Sequence, residues 1–279
     1  MGRTIILMVG LMLLFMYVGN LVGGEQGMRI AFLMACGMNF FSYFFSDKLV
    51  LKHYRATEVT QQSQPQLYQI VQRLANKAGL PMPKVYIIPD QVPNAFATGR
   101  NPSHAAVAAT QGLLQLMTPQ EIEGVLAHEM SHVRHYDILI GSVASVFAGA
   151  IAMLGNAARY TSATQNTSAR NRNGGGTLLA VILMPMAAGI IQMAISRTRE
   201  YKADEGSAEL TNHPEWLISA LTKLEGYAKN YKMQNANSQT AHMFIINPFS
   251  GVQSNFTGLF STHPSTAERI KRLREFKVL

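Results

Sequence analysis

The chain has 279 residues, 48% of them hydrophobic and only 14% charged, where soluble domains carry about 25% charged residues. That deficit excludes an ordinary soluble globule and points to membrane segments. The net charge of +8 is no nucleic-acid footprint, because Lys and Arg are scattered or flank apolar runs and form no basic, aromatic-interleaved stripe.

The first apolar run, Thr4 to Gly24, carries no charge and is long enough to span a bilayer. A cleaved signal peptide is the competing reading. The run exceeds a signal h-region, and a second apolar run, Ile30 to Ser46, follows almost at once. A two-helix membrane hairpin over residues 1–47 is therefore expected. The single cysteine, Cys36, lies inside the second run; it cannot form an internal disulfide and fits a reducing compartment. Lys48, Lys52 and Arg55 come next, which places that end, and with it the N-terminus, in the cytoplasm.

From about Gln64 the composition becomes that of a soluble domain. Leu67, Ile70, Val71, Leu74 and Ala78 recur at helical spacing until Gly79 and Pro81 stop the helix. Lys84–Ile88 reads as a strand. Asn94–Gly99 and His104–Ala109 read as two more, with a turn at Arg100–Ser103.

Thr118-Pro119-Gln120-Glu121 is a helix start: an N-cap Thr, a Pro at the first position and a Glu at the capping-box position. The helix it opens should run through His132 to near Asp137. It carries His128-Glu129-Met130-Ser131-His132, an H-E-x-x-H. Two histidines four apart sit one turn above each other and can reach one metal ion. Glu129 beside them can take a proton from a water that the metal activates. A solvated helix with incidental histidines is the plainer alternative.

A third charge-free run, Ile138 to Ala158, follows. If the helix were continuous, His128 would lie about 15 Å from that run. A polar loop through Asn173-Gly174-Gly175-Gly176 leads to a fourth run, Thr177 to Ile195. Runs 138–195 either span the bilayer or pack as a buried hairpin; both return the chain to the side it left. Residues 48–137 and 196–279 then form two parts of one cytoplasmic domain.

A catalytic zinc takes three protein ligands and keeps one position open. Glu200 and Asp204, four apart on the helix expected after the fourth run, share a face. Glu200 can be the third ligand, while Asp204 accepts a hydrogen bond from a ligand histidine and fixes its tautomer.

The N-terminal apolar pair, Pro93–Ala97, Gly124–His132 and Ser196-Arg197 with Glu200 and Asp204 together resemble the HtpX-like bacterial membrane zinc metalloproteases, relatives of the type-I CAAX prenyl proteases. The resemblance covers nearly the whole chain. It implies an α+β integral membrane protein: a mainly helical zincin-type protease domain with a small sheet, plus two to four transmembrane helices. It implies one Zn²⁺ per chain on His128, His132 and Glu200, with Glu129 as general base. By the same resemblance Asn94, Ala95, Phe96 and Ala97 belong to an edge strand that pairs with extended substrate. Thr262–Ile270 is similar to a motif that returns to the active site, where His263 bonds the developing oxyanion and Arg269 braces the site. Alternatively His263 is a surface residue ahead of a helix capped by Ser265 and Glu268.

Pro214 to Ala228 reads as a helix, and Asn230 to Phe260 as a long polar loop. His53, His104, His135, His213 and His242 lack ligand spacing and read as incidental. The expected function is a multi-pass endopeptidase of the bacterial inner membrane, its site facing the cytoplasm. By the resemblance it would cut misfolded or damaged membrane proteins, with protein substrates and the lipid bilayer as partners and no nucleic acid. A site-specific processing protease is the nearest alternative. A membrane scaffold or transporter with a structural metal is the alternative from another class; the apolar runs contain no Asp, Glu, Lys or Arg to mark an ion path.

Overall fold

A computed structural model describes residues 2–144, 146–147, 197–230 and 264–276. The expected helical hairpin beyond 147, the long loop after Asn230 and His263 lie outside these residues.

Helix α1 (Gly2–His53) folds back on itself at Gly23 and Gly24. Gly24 has φ 60° and ψ −149°, a conformation closed to residues with a Cβ. The two arms then run antiparallel: Asn39 Nδ2 donates to the Met8 carbonyl at 3.2 Å, and Cys36 Sγ lies 4.0 Å from Met12 Sδ. The second arm, Gly23–His53, is long and apolar enough to cross a membrane; the first, Thr4–Asn20, is apolar but shorter. Among the described residues, every large exposed hydrophobic side chain except Tyr136 is on this hairpin, including Ile6, Leu13, Tyr17, Leu33 and Phe40.

The end of α1 is not a free stalk. Val50 and Leu51 are buried against Ile88, Phe96, Ala106 and Ala108, so the hairpin is seated on a sheet. Strands β1 (Thr57–Val59), β2 (Lys84–Ile88), β3 (Ala95–Gly99) and β4 (Ala105–Thr110) form it in the order β1-β2-β4-β3. Only β2 and β4 pair in parallel. The chain after β2 skips a place, so β3 returns antiparallel to β4 as an edge.

Helix α2 (Pro65–Ala78) packs Leu67, Ile70, Val71 and Leu74 into the core under the sheet. The short α3 (Gln111–Leu116) is capped by Thr110 and leads to α4 (Pro119–Arg134), whose Thr118–Glu121 capping box is fully formed. Glu121 is buried and also meets Lys223 Nζ at 2.7 Å and Ser219 Oγ at 2.6 Å. One cap therefore starts α4 and ties it to the neighbouring helix.

Helices α5 (Arg197–Thr211), α6 (Pro214–Asn230) and α7 (Thr266–Glu275) complete the domain. α4 is the central helix, covered by α5 and α6. Gly124 marks a close approach to α6: a Cβ there would stand 2.8 Å from the Leu217 backbone nitrogen, and its carbonyl accepts Ser207 Oγ at 2.7 Å. Gly124→Ala is expected to force α4 and α6 apart and to cost about 1–3 kcal/mol, the usual range for overpacking. Thermal unfolding in detergent reads this; an unchanged melting temperature contradicts the close crossing.

The helix expected to run to near Asp137 stops short of it and does not continue unbroken into the third apolar run. α4 ends at Arg134, and Tyr136 takes a left-handed φ of 60°. Residues 138–144 are helical again and pack Leu139, Ile140, Val143 and Ala144 against Leu7 and Leu11 of the hairpin's first arm. The break turns the chain from the core helix toward the hairpin.

Candidate metal centre

His128 and His132 lie on the inner face of α4, and Glu200 faces them from the first turn of α5. His128 Nε2 is 3.6 Å from Glu200 Oε2, and His132 Nε2 is 3.6 Å from Glu200 Oε1. These separations exceed hydrogen bonds. They are close to the roughly 3.4 Å between neighbouring ligands of a tetrahedral ion bound at about 2.1 Å. One donor atom from each of the three residues falls within 4.8 Å of the other two. Two imidazole nitrogens and a carboxylate suit a borderline ion such as Zn²⁺. The donor set and its spacing fit a catalytic metal.

Glu129 is buried and points to the sheet, where the Ala97 N–H of β3 donates to its Oε2 at 3.1 Å. Burial pushes its carboxyl above the ordinary carboxylate range; the charge of Glu200 adds to this, while the two histidines and Ala97 oppose it. A raised carboxyl is what a general base at neutral pH requires.

Behind the three donor side chains lies a second set of charges. His128 Nδ1 meets Asp204 Oδ1 at 2.9 Å. Arg269, brought in by α7 and 1% exposed, grips both oxygens of Asp204 through Nε at 2.8 Å and Nη2 at 2.6 Å. Burial alone would raise the Asp204 carboxyl, but the Arg269 charge and the His128 contact hold it below its usual range. Burial likewise disfavours a charged His128, yet Asp204 and Glu200 outweigh it and push the imidazole up to about 9.

In the metal-free protein His128 therefore holds a proton that a metal must displace. Its charged form stabilises the metal-free fold fully below the unfolded value of about 6.5. That contribution is lost as pH rises through about 9. Metal affinity has the opposite trend. It is expected to rise by up to about tenfold per pH unit from pH 7 toward 9 as the competing proton leaves. Chelator competition at several pH values measures the slope; a flat profile contradicts a protonated His128.

The structure brings together His128, Glu129, His132, Glu200, Asp204, Arg269 and the backbone of Ala97. Asn94 is buried and ties β3 to Thr110, its N–H donating to Thr110 Oγ1 at 2.9 Å, while Phe96 packs under the hairpin's end. These contacts hold the strand in place. His53, His104 and His213 stand apart from the cluster. Two residues at the site escape sequence reasoning. Asp137 Oδ2 lies 3.5 Å from His132 Nδ1, and Arg199 Nη1 lies 3.3 Å from Asp137 Oδ1. Asp137 follows His132 by five residues, a spacing that points it away from the ring in any unbroken helix. The signal available was Asp137 standing alone between an H-E-x-x-H and an apolar run.

The model of peptidase family M48 matches residues 61–277. A Campylobacter hominis protein described as "Protease HtpX homolog" is 67% identical over 275 residues, covering 99% of this chain and 98% of the relative. Proteins of the same description from Sulfurovum sp. and Methylibium petroleiphilum are 57% and 50% identical, with coverage of 95% or more on both sides. A crystal structure of S. mikatae Ste24p shares the fold, with a TM-score of 0.54 at 17% identity over 95% of this chain. This chain spans 62% of that structure's length.

Proposed function

The chain belongs to peptidase family M48, in its HtpX-like branch, and from that premise we propose that it is a membrane-bound zinc endopeptidase that cuts unfolded or damaged membrane proteins at the cytoplasmic face of a bacterial inner membrane. One observation carries the reading. Glu129 stands beside the His128–His132–Glu200 donor set and is hydrogen-bonded to an edge strand able to bind an extended chain.

One Zn²⁺, when bound by His128, His132 and Glu200, supplies a Lewis acid for the scissile carbonyl and acidifies a water. Glu129 takes the proton of the attacking water and hands it to the leaving amine. Asp204 keeps the proton on Nδ1 of His128, so that Nε2 faces the ion. β3 is a sheet edge whose Ala97 N–H meets Glu129, and substrate pairing along such an edge would be largely indifferent to substrate side chains. That indifference suits a protease that recognises unfolded chains. His263 is the proposed oxyanion donor.

The membrane role rests on the exposed hydrophobic surface of the α1 hairpin, which needs lipid around it. Phe40, Phe41, Tyr43, Phe44 and Phe45 form an aromatic band on the second arm, followed by Lys48 and Lys52, as at a membrane–water boundary. The β3–β4 turn touches this band through Arg100, 5.5 Å over the Phe44 ring. Ala97 lies three residues before Arg100, about 10 Å along the strand. The cutting position would then be close to the bilayer.

The test is cleavage of several single-span proteins in liposomes containing the protease and zinc, with the products mapped by mass spectrometry. Scattered cuts starting within about ten residues of the span support the proposal, given a 3.3 Å rise per residue. A single site in one substrate favours a processing protease, and no cleavage contradicts the proposed activity.

A further inference from the structure

Both histidines of the H-E-x-x-H are backed by an aspartate that an arginine braces. For His128 the pair is Asp204 and Arg269, with the short contacts already given. For His132 it is Asp137, whose Oδ2 faces Nδ1 at 3.5 Å, and Arg199, whose Nη1 meets the other carboxylate oxygen at 3.3 Å. We infer that Asp137, held by Arg199, is the positioning residue for His132. The inference rests on the proposed metal centre and adds the part that aims its second imidazole.

The local chain is built to deliver that carboxylate. After α4 ends, the His135 N–H donates to the Ser131 carbonyl at 3.0 Å and the Tyr136 N–H to Val133 at 3.2 Å. Tyr136 then turns left-handed, and the Asp137 N–H donates back to the His132 carbonyl at 2.9 Å. A non-glycine residue in that region needs a reason. Here the turn returns the Asp137 side chain to the ring that an unbroken helix would carry it away from.

Arg199 adjoins Glu200, so consecutive residues of α5 supply a brace and a ligand. The three side chains are only 13–17% exposed, so solvent screens the charges little. An imidazole that binds metal through Nε2 must keep its proton on Nδ1, and a carboxylate facing Nδ1 fixes both tautomer and ring plane. At 3.5 Å the contact is at the outer limit of a hydrogen bond, so the effect is one of orientation and charge.

The pair could instead only close the base between α4 and α5, and metal binding separates the two roles. Zinc affinity is measured by chelator competition on the full-length protein in detergent, with the Co²⁺-substituted absorption spectrum recorded in parallel. Asp137→Ala is expected to weaken zinc binding by about 10–100-fold and to change the Co²⁺ bands. Asp137→Asn, which keeps an acceptor oxygen but loses the charge, is expected to recover only part of that loss. Should Asp137→Ala not fold, Arg199→Met is expected to weaken zinc binding several-fold by freeing Asp137.

Affinities and Co²⁺ spectra equal to wild type in the folded variants overturn the inference, even where thermal stability falls. A wild-type protein that binds no zinc overturns the metal centre itself, and this inference with it.

Discussion

Glu129→Gln is expected to leave zinc content unchanged and to lower hydrolysis of an unfolded protein by about 10²–10⁴-fold, the usual contribution of a positioned general base. Glu129 is outside the His128–His132–Glu200 donor set, so its loss should spare the metal. Glutamine keeps the length and an oxygen for the Ala97 N–H, so β3 and α4 should stay in register. What it cannot do is accept a proton. Parallel zinc analysis and proteolysis check both points. A glutamine variant that cuts like wild type places the base elsewhere.

Arg269→Ala is expected to be the most destabilising single change at the site, by about 3–5 kcal/mol, the cost of stranding one member of a buried ion pair. Asp204 is 2% exposed and loses both of its bonds from Arg269. The sign follows from the depressed Asp204 carboxyl. Its contribution to stability is present above the unfolded value of about 3.9 and is lost as pH falls through its lower folded value. Without Arg269, burial dominates and favours a protonated Asp204, which then holds His128 less firmly. Arg269→Lys should rescue little, because an ammonium cannot grip two oxygens in one plane. Thermal unfolding with and without zinc measures the loss; an alanine variant as stable as wild type would show that the pair contributes nothing net.

Much of the centre was legible in the chain because its chemistry is local. The spacing of His128 and His132, the cap at Thr118 and the shared face of Glu200 and Asp204 all lie within single helices. Asp137 was not legible, since its role depends on a left-handed turn at Tyr136, a residue type that does not announce one. Arg199 reads as one of several basic residues after an apolar run until α5 is packed on α4. The edge position of β3 arises from the parallel pairing of β2 with β4, a long-range choice that alternating residues do not encode. β1 is three residues, two of them exposed, too short and polar to carry a period. Gly124 looks like a weak point in a helix and becomes informative only where Leu217 crosses it. The end of α4 at Arg134, short of Asp137, was hidden by His135 and Tyr136, neither of which is a helix breaker like Pro or Gly.

One catalytic zinc on His128, His132 and Glu200 is tested by the metal content of protein purified in detergent after zinc loading and gel filtration, wild type beside Glu200→Ala, with circular dichroism to confirm the fold. About one zinc per wild-type chain is expected, with loss of most of it in the variant at unchanged helix content. A wild-type chain without zinc, or a variant that keeps it as tightly as wild type, would contradict the site.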